Sequence, residues 1–177
     1  MRLPEVEIGR KRFMVFPNKY AILFIVWHSR NSTLQLYRLS LITYLSSHII
    51  RYTYEIPPII SQALINDVSS LINEGLLEQA TLNGRLVLRV TEAGRRMIGN
   101  FYGYRNELVV VGDYLVVKLS NLLNELSRIV NTYQDMDSRT LLSIALREES
   151  LREKGLMSSI LRDLAFDLRN TCENALG

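Results

Sequence analysis

A β-hairpin predicted near the middle of the chain constrains the fold more than any other sequence feature. Residues 77–82 and 85–90 are two short runs of strand-forming residues, and only Asn83 and Gly84 separate them. A two-residue Asn-Gly loop is the strongest short-range hairpin signal, and it fixes the register of the two strands. One face of this hairpin is mostly apolar and the other is mostly polar. The apolar face therefore has to pack against other elements of the fold.

Segments with helical periodicity surround the hairpin. Residues 20–30 are apolar on nearly every side, which predicts a buried central helix. Apolar residues three and four positions apart predict a second helix from Leu36 and a third helix capped by Ser61. Thr91 caps a fourth helix directly after the hairpin. Three helices, a hairpin and a further helix have the order of a winged helix, and a helical bundle with an incidental hairpin is the alternative.

The rest of the chain is predicted to be helical. One long helix is predicted over residues 105–133. Its apolar side chains from residue 115 to residue 133 are alternately four and three positions apart, which is a heptad seam: Leu115, Leu119, Leu122, Leu126, Ile129 and Tyr133. Valines at 109–111 would also permit a strand, but the length and the seam favour one long helix. Two shorter helices are predicted after Asp137 and from Met157. The expected fold is mostly α with a small β-hairpin, organised as an N-terminal segment (1–16), a winged-helix domain (17–103), and a long helix with C-terminal helices (104–177).

The sequence lacks the residue patterns of common catalytic sites. It has one cysteine, two histidines and no phosphate-binding glycine loop. No Cys or carboxylate stands at metal-ligand spacing from His28 or His48. We therefore expect no catalytic residues, no metal and no cofactor, and we predict that the protein is not an enzyme. The lone Cys172 excludes an intrachain disulfide, and no apolar run typical of an export signal or a membrane span is present, so we expect a cytoplasmic protein.

The basic residues are mostly arginine, 17 against 4 lysines, and they are unevenly distributed. Arginine suits paired or phosphate-facing positions. Residues 52–84 contain four carboxylates and no Lys or Arg, so the third helix is poorly suited to bind DNA phosphates. Arg89 is expected either to pair with Glu78 across the hairpin or to contact phosphate or a partner, and the N-terminal cations either form a second patch or lie on a mobile terminus. The candidate phosphate or partner contacts are Arg85, Arg89, Arg95, Arg96, Arg10, Lys11 and Arg12.

The predicted long helix and the amphipathic tail are the candidate protein interfaces. Apolar residues on one face of each helix would pack against a partner, or the long helix would pack back on the chain as its own core. These two interpretations predict opposite exposure for the seam. The candidate interface residues are Leu119, Leu122, Leu126, Ile129, Ile160, Leu164 and Leu168.

Three segments together resemble one protein family. They are residues 34–48 (LQLYRLSLITYLSSH), residues 56–94 with the hairpin that ends in VTEAG, and residues 104–119 (YRNELVVVGDYLVVKL). Their apolar positions and turns are similar to those of the middle component of the prokaryotic ABC-three-component systems, a group that includes Lamassu-type defence operons. The resemblance covers most of the chain between residues 16 and 133, and it contains no catalytic motif.

The resemblance implies a non-catalytic subunit of an anti-phage or anti-plasmid defence complex. In such systems an SMC- or Rad50-like coiled-coil ATPase senses foreign DNA, and a separate effector, often a nuclease, damages it. The middle component would act like the winged-helix accessory subunits of SMC complexes and would hold the ATPase and the effector together. Any DNA contact would then be made through the complex, and no membrane would be involved.

A winged-helix regulator of transcription, or an antitoxin-like protein, is the alternative function. Such a protein would form a homodimer along the heptad seam. It would bind its own promoter through Arg85 and Arg95, with an affinity that falls as salt is added. The acidic character of the third helix argues against this alternative.

Overall fold

The computed structural model describes residues 3–55, 58–112 and 115–173, which form helices and two β-sheets. Helices account for 57% of the described residues and strands for 20%. The fold is therefore α/β, and the prediction of a mostly α fold with one small hairpin is wrong. The helices are α1 (Asn18–His28), α2 (Leu36–Leu45), α3 (Gln62–Asn73), α4 (Glu92–Gly103), α5 (Leu119–Tyr133), α6 (Ser138–Arg152) and α7 (Leu156–Glu173). The strands are β1 (Glu5–Ile8), β2 (Lys11–Phe16), β3 (Thr33–Leu34), β4 (Leu77–Leu82), β5 (Arg85–Val90), β6 (Leu108–Val111) and β7 (Leu115–Lys118).

Helix α1 is the centre of the core. All of its side chains from Tyr20 to Val26 are buried, because apolar residues occupy every side of the helix. Helices α2, α3, α4 and α5 and strand β5 pack around it. The predicted buried central helix is confirmed. Pro17 is the N-cap residue of α1, and Asn18 Nδ2 donates a hydrogen bond to the carbonyl of Arg51.

The predicted hairpin is confirmed, and its register is the one that the Asn-Gly loop dictates. Strands β4 and β5 pair with Leu82 opposite Arg85 and with Glu78 opposite Arg89. Strand β3 pairs with the other edge of β5, so this sheet has the order β3-β5-β4. The base of the hairpin is buried, whereas Leu86 beside the turn is exposed. The hairpin therefore packs against the helices at one end and extends into solvent at the other.

The predicted N-terminal caps of α3 and α4 are present, and a side chain also caps α6, whose start after Asp137 was predicted. Ser61 before α3 and Thr91 before α4 each accept a hydrogen bond from a first-turn amide, at 3.3 and 3.1 Å. Asp137 before α6 accepts hydrogen bonds from two first-turn amides. Such bonds satisfy amides that have no partner inside the helix. Short-range sequence signals therefore located these three helix starts.

The sequence did not predict the second sheet, whose four strands have the order β1-β2-β6-β7. Strands β1 and β2 are antiparallel and come from the first sixteen residues. Strand β2 then pairs in parallel with β6, which pairs antiparallel with β7. The segment 1–16 and the region 104–177 thus contribute to one sheet. The alternative of a mobile basic terminus is wrong for Lys11 and Arg12, because both belong to β2.

The predicted long helix over residues 105–133 is wrong in its first half. Residues 108–111 and 115–118 are the strands β6 and β7, and the helix begins only at Leu119. The β-branched valines of both strands fit a pleated surface better than a helix. Gly112 turns the chain between them with a φ of +57°, a conformation that glycine adopts without strain. Pairing with β2 stabilises these strands, and the local apolar pattern does not encode that pairing.

Contacts from helix α2 hold the C-terminal helices in place. The Arg38 guanidinium donates hydrogen bonds to the carbonyls of Tyr133, Gln134 and Met136, at 2.7 to 3.2 Å. This cation therefore satisfies carbonyls at the C-terminal end of α5, where the helix dipole is negative. The Tyr44 hydroxyl of α2 donates to the carboxylate of Glu149 in α6. Helix α7 then packs against α6.

Candidate interaction surfaces

The basic side chains of the hairpin and of helix α4 are exposed, and one of them is paired. Arg89 Nε lies 2.7 Å from Glu78 Oε1, so the predicted cross-strand ion pair is confirmed. Arg85, Arg95 and Arg96 are also exposed, and none of these three forms an ion pair within the part of the chain that the structure describes. These three side chains remain candidate contacts for phosphate or for a partner.

The basic residues of the N-terminal segment lie on the other sheet. Arg10 is in the turn between β1 and β2, and Lys11 and Arg12 are exposed on β2. An open depression of about 720 Å³ is lined by Lys11 and Arg12, but also by Glu5 and Glu107. Its mixed charges give no strong attraction for phosphate. The structure therefore does not bring the two predicted basic clusters onto one sheet.

The carboxylates of residues 52–84 should repel DNA phosphates less strongly than the sequence predicted, because two of them are paired with cations. Lys19 Nζ lies 2.6 Å from Glu74 Oε1, and Glu78 pairs with Arg89. The hydrogen bond between Lys19 and Glu74 raises the pKa of the lysine and lowers the pKa of the carboxyl. Two of the four carboxylates thus meet cations from outside the stretch. This neutralisation depends on contacts that only the tertiary structure creates.

Burial raises the pKa of the hydroxyls of Tyr44, Tyr52 and Tyr54, but these hydroxyls form structural contacts. Tyr44 donates to Glu149, and Tyr52 donates to Asp67 Oδ2 at 2.6 Å. Desolvation raises the pKa of all three, that of Tyr54 to about 12. They are neutral donors at physiological pH, and every buried side-chain N or O atom in the described residues has a partner. The Tyr44 hydroxyl therefore connects α2 to α6, and the hydroxyls of Tyr52 and Tyr54 connect residues 51–55 to α3 and α2.

Within the described ranges, no group of three or more His, Cys, Asp or Glu side chains is arranged to hold a metal ion. His28 stacks on Phe24, with ring centroids 5.8 Å apart, and His48 Nε2 lies 3.6 Å from Glu125 Oε1. The side chain of Cys172 lies outside the described part of the chain. None of the helices among the described residues combines the length and the apolar character that crossing a membrane requires.

The heptad seam of helix α5 lies in the chain's own core. Leu119, Leu122, Leu126 and Ile129 are each at most 6% exposed, because α1 and α2 pack against this helix. Of the two interpretations of the seam, the structure favours internal packing. These four residues therefore do not form an exposed partner interface in this fold. The side chain of Leu115, where the predicted seam began, lies outside the described residues.

Helix α7 carries the candidate interface residues that are exposed. Ile160 and Leu164 are 44% and 48% exposed, whereas Leu168 is half-buried. Met157 and Phe166 of the same helix are also exposed. Helix α6 is the principal packing partner of α7. The apolar residues of α7 are therefore divided between a side that packs on α6 and a side that faces solvent.

A groove of about 570 Å³ lies between α6 and α7. Its lining includes three arginines and three apolar residues, which sequence analysis did not select. A spacing of four and then three along α7 would have placed Arg162, Phe166 and Arg169 on one face, but it does not reveal that α6 adds a further arginine. The groove, named here the α6–α7 groove, includes Arg147, Arg162 and Arg169 together with Ile144, Ala165 and Phe166.

A second exposed apolar surface lies where helices α2 and α3 meet the hairpin. Two depressions, of about 140 and 290 Å³, share Leu36 and Ile65. Ile65 is an exposed apolar residue on α3. The surface is named here the Leu36 patch and consists of Leu36, Tyr37, Ile59, Ile60, Ile65 and Leu86.

No protein-family model matches this chain, and no curated protein and no solved structure matches it. Its function has to be inferred from the exposed surfaces of the fold and from the sequence resemblance.

Proposed function

We propose that this protein is a non-catalytic interaction subunit that binds a partner protein through helix α7. The exposure of Ile160 and Leu164 on an amphipathic outer helix is the observation that supports this role. Burying a side chain of this size contributes about 1.5–3 kcal/mol relative to leaving it in water. Exposed apolar residues clustered on one helix face, with charged residues beside them, are typical of an interaction site.

The identity of the partners in this proposal comes from the sequence resemblance. As the middle component of an ABC-three-component, Lamassu-type defence system, the protein would join an SMC- or Rad50-like ATPase to an effector such as a nuclease, in the cytoplasm. Helix α7 and the Leu36 patch are built from different elements, so two partners would have separate places to bind. DNA would be contacted through the assembled complex.

Co-expression with the products of the neighbouring genes, followed by size-exclusion chromatography, tests the proposal. The natural protein is expected to elute together with a coiled-coil ATPase. The double variant Ile160→Asp/Leu164→Asp is expected to elute alone with an unchanged far-UV circular dichroism spectrum. A carboxylate buried without a partner in an apolar interface is strongly unfavourable, whereas the same carboxylate on the free helix is hydrated.

The matched control is Leu82→Asp, which introduces the same charge at a leucine of the hairpin that is 46% exposed. This variant should leave the complex intact. If the natural protein elutes as an isolated species of 20.4 kDa beside the ATPase, the proposed role is wrong. A complex that survives the double substitution would instead show that the face of α7 carrying Ile160 and Leu164 is not the interface.

A DNA-binding regulator is the second candidate, and the exposure of Arg85, Arg95 and Arg96 favours it. It predicts a homodimer whose affinity for a promoter duplex falls steeply with added salt. The variant Arg85→Ala/Arg95→Ala should then lose DNA binding in a gel-shift assay, while Arg139→Ala, an exposed arginine of α6, should retain it. Tight binding that depends on Arg85 and Arg95 would favour the regulator over the interaction subunit.

A further inference from the structure

Two side-chain hydrogen bonds determine how α6 and α7 lie against each other. Ser143 of α6 donates to a backbone carbonyl of α7 at 2.9 Å, and Ser158 of α7 donates to a backbone carbonyl of α6 at 2.8 Å. Both bonds correspond to the same antiparallel register. In that register Arg147 of α6 and Arg162 of α7 lie at nearly the same level. These two arginines therefore belong to the same end of the α6–α7 groove.

The α6–α7 groove is positively charged. Arg147, Arg162 and Arg169 line it, and its lining among the described residues includes no carboxylate. Neither Arg147 nor Arg162 forms an ion pair with any described residue. Arg169 lies two helical turns from Arg162, about 10.5 Å along the axis. Like charges at one end of a groove repel each other, so an anionic group bound there is favoured.

The groove also has an apolar part, formed by Ile144, Ala165 and Phe166. Phe166 is 63% exposed, so most of its ring is available to a binding partner. A nucleic-acid backbone would engage the arginines but would leave the apolar part without a complementary group. An amphipathic helix has an apolar face and charged flanks, so it can satisfy both parts at once.

We propose that the α6–α7 groove binds an acidic amphipathic helix of the partner protein. Apolar side chains of that helix pack against Ile144 and Phe166, and carboxylates on its flanks pair with Arg147 and Arg162. Guanidinium–carboxylate pairs have directional, often bidentate geometry, so they orient the bound helix as well as stabilising it. This inference rests on the proposed function, because it specifies the chemistry of the segment that an interaction subunit binds.

Fluorescence anisotropy with labelled synthetic peptides tests this inference on the full chain. The acidic probe is a helical peptide with leucines three and four positions apart and glutamates on both sides of the leucine face. The basic probe has lysine at every glutamate position. We expect the acidic probe to bind at least about tenfold more tightly than the basic probe, because complementary charge favours one and like charge opposes the other.

Charge reversal assigns the binding to the groove. The variant Arg147→Glu/Arg162→Glu should weaken binding of the acidic probe by about tenfold or more and should strengthen binding of the basic probe. The control Arg105→Glu/Arg139→Glu makes the same change in net charge at exposed arginines outside the groove, and it should leave both affinities nearly unchanged. Circular dichroism checks that both variants fold. If the charge-reversal variant does not fold, Arg147→Gln/Arg162→Gln is used in its place.

Equal affinity for the two probes overturns the proposal, and so does acidic-probe binding that the groove variant leaves intact. A third outcome also overturns the proposal. If the protein binds a DNA duplex but not the acidic probe, and the groove variant abolishes the DNA binding, the groove is a nucleic-acid site. Co-elution with the ATPase is measured separately. A negative peptide experiment therefore does not contradict the proposed role as an interaction subunit. Likewise, a failure to co-elute with the ATPase does not contradict a positive peptide result.

Discussion

Gly94 lies where helix α4 closely approaches the base of the hairpin. A Cβ at this position would lie 2.3 Å from the carbonyl oxygen of Leu76 and 2.8 Å from a methyl carbon of Val90. The Thr91 hydroxyl, one turn earlier, donates a hydrogen bond to the carbonyl of Gly75 at 2.6 Å. The first turn of α4 is thus held against the end of α3 and the base of the hairpin. Only glycine is small enough for this approach.

The substitution Gly94→Ala should lower the free energy of unfolding by about 1–3 kcal/mol, since the added methyl group overlaps backbone that cannot move away cheaply. Gly99→Ala is the matched control, because it lies in the same helix and an added Cβ there meets nothing within 4 Å. It should stabilise the protein by up to about 1 kcal/mol through helix propensity. Urea denaturation followed by circular dichroism measures both effects. Equal free energies of unfolding for the two variants would contradict the close approach of α4 to the base of the hairpin.

Two arginines show what residue-level reasoning can and cannot predict. The pair between Arg89 and Glu78 follows from the hairpin register, so the sequence was sufficient to predict it. Arg38 instead donates to carbonyls that are 95 to 98 residues further along the chain. No local pattern around Arg38 indicates these acceptors. Its role became visible only when α2 and the end of α5 were seen together.

Helices α5 and α7 have similar apolar spacing but different surroundings. Leu126 of α5 is fully buried against the core, whereas Leu164 of α7 is 48% exposed. The sequence identified the apolar face of each helix and offered both faces as candidate interfaces. Spacing defines which residues share a face, but it does not define what that face contacts. Only the packing of α5 on α1 and α2 separates a core helix from a candidate docking helix.

The substitutions Leu126→Asp and Leu164→Asp should therefore differ greatly in their effect on the free energy of unfolding. A carboxylate at Leu126 would be buried without a partner, so the protein should fail to fold cooperatively. A carboxylate at Leu164 stays hydrated, and the free energy of unfolding should change by less than about 1 kcal/mol. Thermal melts of the isolated protein compare them. If the Leu126→Asp variant stays folded, α5 is not a core helix.

Across the whole molecule, strand β2 connects the beginning of the chain to its second half. It pairs in parallel with β6, so Met14, Val15 and Phe16 lie opposite residues 109–111. Phe16 is buried, and its ring lies 5.3 Å from the ring of Phe101, in an edge-to-face arrangement. The four-stranded sheet and the helical core therefore meet at this aromatic cluster. We expect the sheet and the helices to unfold together.

The substitution Phe16→Ala should destabilise the whole protein by about 3–5 kcal/mol, because it leaves a cavity between the sheet and the core. Phe13→Ala is the matched control: it removes a half-buried ring from the same strand and should cost about half as much or less. Urea unfolding is followed both by circular dichroism and by the fluorescence of Trp27, the single tryptophan. Two separated transitions would show that the sheet and the helical core are independent.

The sequence by itself determined the features that depend on neighbouring residues. The Asn83-Gly84 turn specifies the hairpin register, side-chain oxygens mark three helix starts, and uninterrupted apolar residues mark α1 as central. For residues 108–118 the valines permitted a strand, but the length of the segment and the heptad spacing favoured a helix and led to the wrong prediction.

Only the tertiary structure decided which distant segments meet. The pairing of β2 with β6, the capping of α5 by Arg38 and the burial of Leu126 all join residues that are far apart in the chain. The same holds for the α6–α7 groove, where Arg147 and Arg162 come from different helices. Short-range periodicity in the sequence indicates which side of a helix or strand is apolar or charged. The partner of that side depends on the free energy of packing all elements together, which no single segment contains.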